Sequence, residues 1–207
     1  MKVNFLAFLF LILSLHSSIA QDIPKQKSLG KIGFTYSSFG ESNVFRNESL
    51  LGEASYNSDR FYTIGINYLR PINNWIELET GLEYSKHTIL IRPNLPPDMD
   101  RTPFKANFSL INIPVTLRAN FLKFFFVNGG LLLDLDANSS SPIDSQTGIG
   151  GLLGLGAKYD FNCGASIFVN PYLKFHSLIP FSSGNNQQKV YESGFRVGLT
   201  YNLNRKQ

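Results

Sequence analysis

The chain has 207 residues, 43% of them apolar and 14% aromatic, with a single cysteine and a formal charge of +4. One cysteine excludes an internal disulfide framework and a cysteine-based metal site, and a modest charge without a basic block or stripe argues against a nucleic-acid partner. No apolar run beyond the N-terminus approaches the roughly twenty residues of a spanning helix, so any passage through a membrane must be made by strands.

Residues 1–20 predict a signal peptide. Lys2 supplies the positive start, Phe5 to Leu15 an almost unbroken apolar run, and Ser18-Ile19-Ala20 the small residues of a cleavage site. Residues 21–207 are then one domain by length. A first strand is predicted at 30–39, where Ile32, Phe34 and Tyr36 alternate with Lys31, Gly33, Thr35 and Ser37. A polar connection over 40–59 leads to a hairpin of strands 60–70 and 75–92, turning at Pro71-Ile72-Asn73-Asn74. Its period of two places Tyr62, Ile64, Ile66, Tyr68, Ile76, Leu78, Leu82 and Tyr84 on one face, and Glu77, Glu79 and Glu83 with glycine and amide residues on the other.

The segment 93–105 carries four of the ten prolines and reads as another long connection. Strand four, 106–119, sets Ile111, Ile113, Val115 and Leu117 against Asn112, Pro114, Thr116 and Arg118, and Pro114 predicts a bulge because it lacks a ladder donor. After a short turn comes strand five, 124–136, with Leu132 breaking the apolar-outward pattern, and then a polar connection to 147. Strand six, 148–161, alternates Leu153, Leu155, Ala157 and Tyr159 with Gly150, Gly154, Gly156, Lys158 and Asp160. A tight turn at 162–164 leads to strand seven, 165–178, where Phe168 and Tyr172 share the polar face, and a long connection, 179–189, follows. Strand eight, 190–203, sets Phe195, Val197, Leu199 and Tyr201 against Gly194, Arg196, Gly198, Thr200 and Asn202. Cys163 is expected as a buried or lipid-facing small residue.

Eight strands joined by connections that alternate long and short predict an all-β, antiparallel, up-and-down transmembrane barrel with short periplasmic turns and four long external loops. Two aromatic belts are expected: Tyr68, Trp75, Phe121, Phe124, Tyr159, Phe161 and Tyr201 at the turn end, and Tyr36, Phe39, Phe61, Tyr84, Phe108, Phe175 and Tyr191 at the loop end. The inward set then brings Glu77, Glu79 and Glu83 into one lumen with Arg118, Lys158 and Arg196, joined by Lys31 and Lys174. Eight strands leave room only for side chains, so this charge cluster is expected to be a structural plug of ion pairs. The reading calls for no catalytic residue, no cofactor and no metal.

The signal peptide, the Ile111-Asn112-Ile113-Pro114-Val115-Thr116-Leu117-Arg118 strand, the glycine-rich run from Gly150 to Tyr159 and the closing Gly194-Phe195-Arg196-Val197-Gly198-Leu199-Thr200-Tyr201 together resemble outer-membrane β-barrel domain proteins of the Bacteroidetes type, the PorT-like porin family. The resemblance implies an eight-stranded barrel in the cell outer membrane and offers no catalytic residues to carry over. Expected partners are outer-membrane lipid and envelope or secretion proteins, with the barrel itself a monomer. Two other readings stand beside it. A soluble exported barrel of lipocalin type, holding a small apolar ligand, would reverse the two faces. A lipid-modifying outer-membrane enzyme would need a serine beside His87 or His176, the two histidines of residues 21–207.

Overall fold

Eight strands, each hydrogen-bonded to its neighbours in sequence, form a ring that β1 and β8 close. They are β1 (Lys31–Phe45), β2 (Ser55–Pro71), β3 (Ile76–Arg92), β4 (Phe104–Phe121), β5 (Phe125–Asp136), β6 (Gly148–Asp160), β7 (Ala165–Pro180) and β8 (Lys189–Asn202). The computed structural model describes residues 29–45, 55–96, 98–138, 142–182 and 187–203, so the predicted signal peptide lies outside the described residues. All pairs are antiparallel, and the seam is fastened where Leu203 N donates to Gly30 O at 2.8 Å. A closed ring leaves no unpaired edge, which is the condition for strands to exist in hydrocarbon.

The period-two pattern decides which way the wall faces. Ile66 and Leu153 are 57% and 58% exposed on the exterior, whereas Glu79 and Glu192 are 0% exposed inside. An apolar exterior around a polar interior is the reverse of a soluble ligand-binding barrel, and the lipocalin reading fails on this orientation. The apolar girdle covers seven to eleven residues of a strand, from Tyr62 to Tyr68 and Ile111 to Phe121 for example, near the roughly 9–11 that a tilted strand needs to cross. The chain folds as a membrane-spanning barrel.

The strands run beyond that girdle at the loop end. β1 continues to Phe45 and β2 begins at Ser55, inside the segment 40–59 expected as a connection. Past Tyr62 and Tyr84 the outer faces turn polar: Thr88 Oγ1 donates to Asn107 Oδ1 at 2.7 Å, and Lys105 Nζ pairs with Asp59 at 2.9 Å. Above the hydrocarbon the wall meets water, so the apolar alternation that marks a strand fades although the ladder continues. The turn end behaves as predicted, with Trp75, Phe124, Tyr159 and Tyr201 among the exposed rings there.

Three expectations are corrected. Pro114 causes no bulge: it pairs with Leu132 on β5, and on β3 the pairs Thr80–Val115 and Glu83–Asn112 keep one register on either side of it. The missing donor is accommodated as a gap in the ladder, and the bulges fall at Ser37/Phe39, Ser58/Arg60 and Ile149/Gly151. Phe61 and Phe108 belong to the inward parity of β2 and β4 and are buried in the lumen, outside the loop-end belt. Cys163 is exposed on the β6–β7 turn.

The β4–β5 turn holds Leu122 at φ 47° and Lys123 at φ 65°, a left-handed conformation in which bulky side chains are disfavoured. Asparagine and glycine adopt it readily. The L122N/K123G variant is expected to gain about 1 kcal/mol of stability in urea unfolding from lipid vesicles.

Candidate functional site

The lumen is filled in tiers built from the inward-facing side chains of the strands. At the turn-end rim, Lys31 Nζ lies 3.2 Å from Glu77 Oε1 while Asn120 Nδ2 donates to Glu77 Oε2 at 3.1 Å. Lys158 pairs with Asp160 at 3.6 Å, and Ser166 Oγ donates to that same Asp160. Lys158 is thus a rim residue whose partner is its strand neighbour.

The next tier centres on Glu79. Arg118 donates to Glu79 Oε2 through Nη2 at 2.8 Å and Nε at 3.2 Å, Arg196 Nη1 lies 3.2 Å from Oε1, and Asn67 Nδ2 donates to Oε1 at 3.0 Å. The Arg118 guanidinium also lies 4.2 Å from the ring centre of Phe126 and 4.8 Å from that of Phe168. Two glycines make room for those rings. A Cβ on Gly156 would sit 2.2 Å from Phe126, and one on Gly198 would sit 2.3 Å from Phe168. Each of these glycines is the cross-strand partner of the phenylalanine it accommodates. Glycine density in β6 and β8 is therefore a packing requirement of the lumen.

Above it, Lys174 Nζ lies 2.7 Å from Glu83 Oε2 and 3.7 Å from Glu192 Oε1, and Tyr172 OH donates to Glu192 Oε1 at 2.5 Å. Arg196 links the two tiers, reaching Glu83 Oε1 at 3.6 Å as well as Glu79. Buried charges survive in such a place only when paired and hydrogen-bonded, and each of these carboxylates has at least one cation.

The loop-end tier is built around two histidines that are 89 residues apart in sequence and meet across the lumen, their ring centroids 6.1 Å apart. His87 Nδ1 is 2.7 Å from Ser42 Oγ, and His176 Nδ1 is 3.1 Å from Asp134 Oδ1. Asp134 also accepts from Asn112 Nδ2 at 2.6 Å and from Ser177 N at 3.2 Å. Phe61 and Phe108 stack on the two sides of His87, with centroids at 5.8 and 4.7 Å. Beyond them an apolar cluster of Ile89, Ile91, Phe108, Leu110, Ile143 and Val190, all 6% exposed or less, closes the loop end.

Of the residues singled out by sequence, Glu79, Glu83, Arg118 and Arg196 thus form one network, Glu77 sits at the rim with Lys31 and Asn120, and Lys158 stands aside with Asp160. Glu192 and Asp134 belong with them. Both fall on the inward parity, and Glu192 is two residues before Gly194 in the alternation of β8. The structure does supply a serine beside His87, as an enzyme would need. It is nevertheless buried with its histidine on the side of the lumen that carries the apolar cluster.

No family model matches the sequence, and no curated protein matches it. Solved structures do share the fold. The outer membrane protein AlkL, determined in lipid bilayers by solid-state NMR, superposes with a TM-score of 0.50 at 10% identity, covering 90% of this chain and 99% of its own. The outer membrane protein OprG from Pseudomonas aeruginosa superposes with a TM-score of 0.52 at 14% identity, covering 86% and 98%. The chain is an outer-membrane β-barrel. Its apolar girdle, which would be unstable in water, places it in a membrane, and barrels of this fold stand in the outer membrane with their short turns toward the periplasm.

Proposed function

We infer that this barrel is non-conducting and non-catalytic, and that it acts through its loop end, which contacts an external or secretion-related protein. The filled lumen carries this reading: Glu77, Glu79, Glu83, Arg118, Lys158 and Arg196 serve as a structural plug, and the apolar cluster above them leaves function to the outer surface. The resemblance to PorT-like barrels is in keeping with an accessory role in secretion.

Among the described residues at that end, the β3–β4 connection offers a contact surface. In it Met99 N donates to Pro96 O at 3.0 Å, and Asp100 Oδ1 accepts from the backbone and hydroxyl of Thr102 at 2.8 and 2.6 Å. Leu95, Met99 and Phe104 stand exposed on or beside it, an apolar surface flanked by Asp98 and Arg101. Loops of this kind, held by a rigid wall, carry recognition more often than packing.

The experiment replaces residues 94–102 by a short Gly-Ser turn and compares this strain with a full deletion in protein secretion and surface composition. The trimmed barrel is expected to keep its anomalous unboiled gel mobility and to reproduce the deletion phenotype. Wild-type secretion and surface composition in the trimmed strain, against a defect in the deletion, would overturn the role given to this loop.

A further inference from the structure

Three polar atoms at the loop-end tier converge on one point and have no hydrogen-bond partner: His87 Nε2, His176 Nε2 and Glu192 Oε2. All three residues are 0% exposed. His87 Nε2 lies 3.6 Å and His176 Nε2 3.7 Å from Glu192 Oε2, and the three atoms are within 4.8 Å of one another. Buried polar groups are normally satisfied, and leaving three unsatisfied side by side is costly.

We propose that His87, His176 and Glu192 form a binding site for a divalent transition-metal ion of the zinc class.

The two histidine–glutamate separations fit a metal. Bonds of about 2.0–2.2 Å at a tetrahedral ion put ligand atoms about 3.4 Å apart, so both histidine–glutamate separations are within a few tenths of an ångström of what coordination requires. Two imidazoles and one carboxylate are a ligand set that zinc uses, with one position left for a further ligand.

The groups behind the ligands are arranged to the same end. Asp134 accepts at His176 Nδ1 and Ser42 Oγ can accept at His87 Nδ1, which places the ring protons there and bares both Nε2 lone pairs. Ser177, with φ 49°, aims its N–H at Asp134 and so holds that carboxylate in place. Tyr172 and Lys174 engage Glu192 Oε1, leaving Oε2 to act alone.

Charge balance is the independent argument. Glu83, Asp134 and Glu192 share this half of the lumen with Lys174, while Arg196 is divided between Glu83 and Glu79. With neutral imidazoles, Glu79, Glu83, Asp134 and Glu192 outnumber Arg118, Arg196 and Lys174 by one charge in a region sealed by apolar residues, and that excess favours a cation at the three atoms. The seal implies that the ion enters as the barrel folds.

The test refolds untagged protein in a Cys163→Ser background, which removes the exposed thiol, in the presence of Zn2+ or Co2+, followed by chelator washing and metal analysis. One Zn2+ per folded barrel is expected to survive the wash, and Co2+ to give the intense visible bands of a low-symmetry four-coordinate site. His176→Gln and Glu192→Gln are expected to lose the metal, with affinity falling on the order of 100-fold or more, and Asp134→Asn to weaken it by roughly 10- to 100-fold. Unboiled gel mobility reports whether each variant is folded. Wild-type barrel that refolds in Zn2+ but holds none after washing overturns the proposal whatever the variants do. So does metal retained equally by folded His176→Gln and Glu192→Gln.

Discussion

Lys174→Met is expected to destabilise the barrel by about 3–5 kcal/mol, the largest loss from any single lumen charge. Lys174 is 0% exposed and its ammonium serves two carboxylates, Glu83 at 2.7 Å and Glu192 at 3.7 Å. Methionine fills a similar volume, so the effect is electrostatic rather than a cavity. Arg196 cannot take over, because the Nη1 that lies 3.6 Å from Glu83 is already 3.2 Å from Glu79. Removing one partner of a buried pair leaves an uncompensated charge, whereas removing both is far milder. The double variant K174M/E83Q is therefore expected to be more stable than K174M alone, with a coupling energy of at least about 1 kcal/mol in a double-mutant cycle. Urea unfolding in lipid vesicles measures it. Equal stability of K174M and the parent would mean that the pair is solvated in the lumen.

Gly198→Val is the second large effect. Phe168 lies directly across the β7–β8 ladder from Gly198, and any Cβ there meets the ring at 2.3 Å. The ring cannot withdraw without leaving the Arg118 and Arg196 guanidinium groups, 4.8 and 5.5 Å from its centre. Overpacking of this kind costs about 1–3 kcal/mol, more where a charged neighbour is also displaced. We expect a sharply reduced heat-modifiable fraction on refolding, and partial recovery in G198V/F168L, where the smaller side chain returns the space. Failure of that second substitution to help would point to strand backbone strain instead of the ring as the obstacle.

The same residues show how far sequence reaches. The hairpin of Tyr62 to Tyr84 was readable because a period of two assigns faces one strand at a time, and the inward glutamates of β3 followed from it. Phe61 and Phe108 also obey that parity, but their aromatic character near strand ends suggested a belt, and character misled where position did not. The meeting of His87 with His176, and of both with Glu192, was not legible. Which residues oppose one another across a lumen depends on strand tilt and stagger, a property of the closed ring that no local pattern encodes. The loop-end halves of β1 and β2 were hidden for a different reason: there the outer face meets water, and although Val44 and Tyr56 pack inward on the apolar cluster, the ladder persists with little apolar alternation to mark it. Pro114 misled because a missing donor can be absorbed by a gap in pairing as well as by an inserted residue.

This wall encloses a filled lumen, with its charges paired and its apolar face toward lipid. Conductance of the purified, folded protein in planar lipid bilayers tests it most directly. Insertion is expected, shown by protection of the girdle from protease, with no unitary current steps above the lipid baseline across the voltage range. Stable, reproducible open-channel steps from the wild-type barrel would contradict it, because ions could then pass where Glu79, Arg118, Lys174 and Glu192 now stand.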